Sequence, residues 1–139
     1  MSQTQAVRAV VRLARILERS STQLSLPHYR VLSAIAEGHE RASRLAIRLA
    51  LGKPAISASV DTLIRQGLVS RHTSASDQRA ARLQLTAQGV AALEQAEQAM
   101  AARLDEVLAR CDVADDFVEQ LAAVEVGVES LAAERLTAR

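Results

Sequence analysis

Aromatic side chains are almost missing from this 139-residue chain: 1% of its residues, one Tyr, one Phe and no Trp. With 49% apolar residues, mostly Ala, Leu and Val, the composition favours helices packed by aliphatic side chains over a sandwich or barrel. Five glycines and two prolines leave few sharp turns. The single cysteine, Cys111, cannot form an intrachain disulfide. Asp112, Asp115 and Asp116 beside it would disfavour a thiolate, so it reads as a small packed hydrophobe near a helix end rather than a redox sensor. No uncharged apolar run approaches the roughly 18 residues of a spanning helix. The first twenty residues scatter arginines and lack a small-residue cleavage site, so the expectation is a cytoplasmic protein without a signal peptide. His28, His39 and His72 show no metal spacing with Cys111, and no HExxH, nucleophile elbow or Gly-rich phosphate loop occurs. An enzyme is therefore disfavoured and no cofactor or metal is expected, although a metal cluster assembled between subunits stays open.

What is present is an uneven distribution of charge. The net charge is only +1. Between residues 41 and 82, however, Arg41, Arg44, Arg48, Lys53, Arg65, Arg71, Arg79 and Arg82 face only Asp61 and Asp77, a local balance of +6. From 94 to 139 four bases meet eleven acids, a balance of −7. Only the middle of the chain would favour a phosphate backbone.

Apolar residues recur at three- and four-residue steps through Val7, Val10, Val11, Ala14 and Leu17, which predicts an amphipathic helix over about 5–21. Ser25 and Pro27 open a second helix carrying Tyr29, Val31, Leu32, Ile35 and Ala36, which Gly38 ends. Ser43 starts a short helix with Leu45, Ala46 and Leu49 inward, and Leu51-Gly52 forms a turn. Lys53-Pro54 then opens a longer helix to Gln66, buried through Ile56, Val60, Leu63 and Ile64 and closed by Gly67. A strand from Leu68-Val69 and another through Arg82-Leu83-Gln84-Leu85 enclose an exposed tip from His72 to Ala80. Thr86 caps a helix of about 23 residues, roughly 35 Å long, with Val90, Leu93, Ala96, Met100, Leu104 and Leu108 in its stripe. A last helix carries Phe117, Leu121, Val124, Val128 and Leu131. The long helix outruns what one small domain covers, so its outer half, with the first and last helices, is expected to form a subunit interface.

The run LAIRLALGKPAISASVDTLIRQGLVSR, followed by Asp77-Gln78-Arg79 and LQLTAQG, resembles the MarR family of bacterial regulators over about residues 25–90. The resemblance implies a mainly α (α+β) winged helix-turn-helix in a triangular dimer that binds a pseudo-palindromic operator. Such dimers usually repress, and many release DNA when a small-molecule effector binds. It divides the chain into an N-terminal dimerisation helix (1–24), a winged DNA-binding domain (25–90) and C-terminal dimerisation helices (91–139). The helix from Lys53 to Gln66 becomes the recognition helix, with Lys53, Pro54, Ala55, Ser57, Ala58 and Thr62 toward the groove. Asp61 reads instead as structural, paired with Arg65 at i+4. Arg79 matches the family's minor-groove arginine and Asp77 the carboxylate that braces it. Gln78 stands where a second arginine is frequent, and Ala58 and Thr62 also replace arginines common in the family. Arg71, Arg82, Arg41 and Ser43 are expected to contact phosphate or support the wing. A ligand pocket between the winged domain and the dimer helices would involve Arg12, Arg15, His28, Tyr29 and Leu32. Double-stranded DNA and a second copy of the chain are the expected partners, with no membrane. The alternative is a winged-helix protein-interaction module without sequence-specific DNA binding.

Overall fold

The computed structural model describes residues 1–74, 77–112 and 114–138, with the side chains of 74–80 and 114 outside that description. Among the described residues six helices enclose one hairpin: α1 (Gln3–Ser20), α2 (Leu26–Ala36), α3 (Ala42–Arg48), α4 (Lys53–Arg65), β1 (Val69–Ser74), β2 (Asp77–Leu85), α5 (Ala87–Leu108) and α6 (Ala114–Thr137). This is the expected mainly α winged helix-turn-helix, and most of its boundaries follow from local capping chemistry. The Ser25 hydroxyl accepts from the His28 N–H at 3.3 Å, with Pro27 in the first turn of α2. Thr86 caps α5 by accepting from the Gly89 N–H at 3.0 Å, and its own hydroxyl donates to the Gly67 carbonyl at 2.5 Å. Gly38 (φ +101°) and Gly67 (φ +75°) take the left-handed conformation that ends α2 and α4.

Three boundaries differ from expectation. Helix α1 begins at Gln3 because Ser2 and Gln5 form a reciprocal capping box, with bonds of 2.8 and 3.2 Å. Helix α3 begins at Ala42, one residue before Ser43, without a side-chain cap. In the α3–α4 turn it is Ala50, at φ +53°, that turns the chain, while Gly52 is an extended N-cap at φ −67°. An alanine in this conformation costs about 1–2 kcal/mol. The turn is held nonetheless by Ala50 N–H to Ile47 carbonyl and Leu51 N–H to Ala46 carbonyl bonds of 3.1 and 2.9 Å.

The core is aliphatic. Val31, Leu32 and Ile35 of α2 meet Leu45 of α3, Ile56, Val60 and Leu63 of α4, Val69 and Leu83 of the hairpin, and Leu93 and Ala96 of α5. Each large side chain among them contributes about 1.5–3 kcal/mol by burial. The strands pair antiparallel in the register Val69↔Leu85, Arg71↔Leu83 and His72↔Arg82, with an irregularity before Ser74↔Asp77. Strand pairing thus enters the stretch expected to be an open tip. The Leu83 N–H also donates to the Glu40 carbonyl at 2.7 Å, tying the hairpin root to the α2–α3 connection.

Outside this core the helices are sparsely covered. Helix α1 packs on α5 yet has no buried residue, and Val7, Val10 and Val11 are exposed. Helix α6 lies along α3. Its Ala132 is buried, but the stripe through Leu121, Val124, Val128 and Leu131 is exposed. Cys111, expected to pack, is instead exposed at the end of α5, with Sγ donating to the Val107 carbonyl at 3.5 Å. Among the described residues no helix is long and apolar enough to cross a membrane.

Candidate nucleic-acid interface

Helix α4 places its two faces by period alone. Ile56, Val60 and Leu63 are buried, which leaves Lys53, Pro54, Ala55, Ser57 and Ala58 exposed on one continuous outer surface. Thr62 is half-buried at its edge, and its Oγ1 accepts from Arg65 at 3.2 Å. That bond takes Arg65 away from the i+4 partner expected for it. Asp61 lies instead 3.7 Å from Arg71 of β1, so the helix is braced against the hairpin. Both side chains of this pair are well exposed, and its worth is about 0–1 kcal/mol. Arg71 thus joins β1 to α4. Arg82 likewise lies 3.8 Å from Glu40, beside the root of β2.

Arg41 and Ser43 are exposed at the start of α3. Ser43 and Lys53 line one open cavity of about 820 Å³ with Arg135 from the end of α6, which sequence reading did not associate with this surface. The backbone of Asp77, Gln78 and Arg79 belongs to β2, and their side chains lie outside the described residues. The outer surface is short-chained on α4 and basic around it. Lys53 can reach a phosphate or a guanine edge, Ser57 can donate or accept at a base, and Ala55 fits against a thymine methyl.

The five residues expected at a ligand pocket are not brought together. Leu32 is fully buried in the core, Arg12 is exposed on α1, and Arg15 is exposed and pairs with Glu18 at 2.7 Å. His28 is half-buried but lines no described cavity. Only Tyr29 faces the open cavity of about 330 Å³ between α1, α2 and α5, with Leu17, Leu26, Met100, Leu104 and Glu97. The Tyr29 hydroxyl donates to Glu97 Oε1 at 3.4 Å. Burial, and then the Glu97 charge, push this phenol above its ordinary pKa. Among the described residues no cluster of His, Cys, Asp or Glu could hold a metal ion.

Arg48 also stands out. At the end of α3 it bonds Glu129 of α6 at 2.5 Å and Glu37 at 3.4 Å. The hydrogen bond it donates to the Glu129 carboxylate holds its pKa above the usual arginine value despite partial burial. Periodicity gave no sign of this contact, because it joins residues 81 positions apart.

Residues 22–80 match the sequence model of the MarR family. Among solved structures, the transcriptional repressor CouR bound to a 23-mer DNA duplex is 25% identical, with a TM-score of 0.75, and the match covers 91% of each chain. Apo MarR from E. coli is 19% identical, with a TM-score of 0.73 over 94% of this chain and 96% of that one. The PcaV regulator from Streptomyces coelicolor, in complex with its natural ligand, is 20% identical, with a TM-score of 0.67 over 91% and 92%. At these identities the last two establish a shared fold.

Proposed function

From the match of residues 22–80 to the MarR family we propose that this chain is a homodimeric transcription repressor of the cytoplasm that occupies a pseudo-palindromic operator. The observation that carries the reading is the outer face of α4, exposed from Lys53 to Ala58 beside a braced basic hairpin, in a fold like that of DNA-bound CouR. Lys53, Ser57 and Thr62 read or position, Pro54, Ala55 and Ala58 pack on base edges, and Arg41, Ser43, Arg71 and Arg82 contact or support contacts to phosphate. Arg79 enters a narrow minor groove, oriented by Asp77, with Gln78 contributing no charge. The exposed valines of α1 and the stripe of α6 support self-association of 1–24 and 91–139 around the reading domain of 25–90.

Titrating labelled duplexes at graded salt tests this. Log affinity should fall linearly with log salt, and Arg79→Ala should weaken binding about tenfold and flatten the slope by roughly one. Salt-independent association would favour a protein-interaction module instead, and an unchanged Arg79→Ala slope would remove the wing assignment.

The α1–α2–α5 cavity is the effector site of this reading. Its wall is apolar and its one charged lining group is the Glu97 carboxylate, so an apolar molecule bearing a cationic or donor group fits it better than an anion. An apolar ammonium should therefore raise the melting temperature more than the carboxylate of the same skeleton. The opposite order would exclude Glu97 from recognition.

A further inference from the structure

Arg48 joins three parts of the chain. It is the last residue of α3, Glu37 caps α2, and Glu129 lies in the second half of α6. The Arg48 side chain is only 12% exposed, against 45% for Glu129 and 55% for Glu37. Among the described ion pairs, Arg15–Glu18 and Arg103–Glu106 stay within one helix, and Arg71–Asp61 and Arg82–Glu40 stay within the winged domain. Arg48–Glu129 is the described ion pair that crosses from the winged domain to α6.

Helix α6 itself has two differently used faces. In its second half Glu129, Ala132 and Leu136, spaced by three and four residues, are the half-buried and buried positions, and the helix packs on α3. Val124, Val128 and Leu131 point elsewhere and are exposed. One face thus holds the winged domain, the reading head of the proposed regulator, while the other is open to a second copy. Apolar burial on α6 is small, Ala132 being its one described residue that is buried. Apolar contact is non-directional and tolerates sliding, whereas a charged hydrogen bond from a half-buried guanidinium fixes angle and distance.

We propose that Arg48 is a positioning residue for operator binding: by clamping Glu129 it fixes the reading head relative to the dimer helices, and so sets the half-site spacing the protein accepts. This rests on the dimeric regulator reading above. Glu37 cannot substitute, because it belongs to the winged domain and moves with Arg48.

The test uses the full-length protein and duplexes carrying two half-sites, recovered by selection from random DNA, with the spacer lengthened or shortened by one and two base pairs. Wild-type protein should lose about tenfold or more in affinity on each change, because every added pair rotates the second half-site around the duplex. Glu129→Gln keeps the shape and removes the charge. It should compress that penalty to about threefold or less, while leaving affinity for a single half-site unchanged. Glu37→Gln, with its partner inside the head, should keep the wild-type spacing profile. An unchanged profile in Glu129→Gln overturns the proposal. So does a uniform loss across all spacings and the single half-site, which would mark a purely structural pair. Wild-type protein that binds no duplex, or binds as a monomer, would overturn the regulator reading itself.

Discussion

Gly89→Ala should cost about 3 kcal/mol or more of stability and lower the melting temperature by roughly 10 °C, although alanine is ordinarily the better helix former by about 1 kcal/mol. Gly89 lies in the first turn of α5 and is buried against the end of the α4–β1 connection. A Cβ there would stand 2.0 Å from the Leu68 carbonyl oxygen and 3.0 Å from its carbon. Both are backbone atoms, so relief requires moving α5 away from the hairpin root. That movement would loosen the Thr86 N–H to Leu68 carbonyl bond of 3.0 Å, and with it the Thr86 cap. Each such loss is worth about 1 kcal/mol. Gly127→Ala in α6 is the matched control, since a Cβ there meets nothing within 4 Å. Urea unfolding of both variants decides it: equal stabilities for Gly89→Ala and wild type would mean that α5 and Leu68 do not approach so closely in solution.

Placing a carboxylate on the unpartnered stripes should split the proposed dimer and reduce affinity for its proposed operator by about 100-fold or more, because the second half-site then no longer binds at high effective concentration. Val11→Asp on α1 and Val128→Asp on α6 are suited to this, being 63% and 51% exposed in the single chain. Neither contributes to the described core, so helix content by circular dichroism should stay at the wild-type level. Sedimentation should report a monomer, and each charge acts twice in a symmetric interface. Variants that remain dimeric with wild-type affinity would place the interface elsewhere.

Much of this arrangement was legible in the sequence where the determinants are local. Ser25 with Pro27, Gly67, and Thr86 act within a few residues, so α2, α4 and α5 lie close to their expected bounds. The outer face of α4 followed from the period of Ile56, Val60 and Leu63, since fixing the buried stripe fixes its complement. Features that depend on what a side chain meets across the fold were not legible. Asp61 had an arginine four residues on in its own helix, yet the hairpin brings Arg71 to it instead. Helix α6 showed one apolar stripe in the sequence, while its contact with α3 includes Glu129, which hydropathy does not single out. Arg12 and Arg15 shared an amphipathic helix with apolar neighbours, but their positions on the turn of α1 carry them to solvent rather than into the α1–α2–α5 cavity.

The scarcity of aromatic rings has an experimental consequence. With one tyrosine and no tryptophan, nearly all ultraviolet emission of the chain originates at Tyr29. That ring lines the cavity and its hydroxyl bonds the Glu97 carboxylate, a contact through which excited tyrosine is readily quenched. The unlabelled protein therefore carries a native optical probe in the one place where an occupant of that cavity would be felt, and an entering molecule that draws Glu97 away would brighten it.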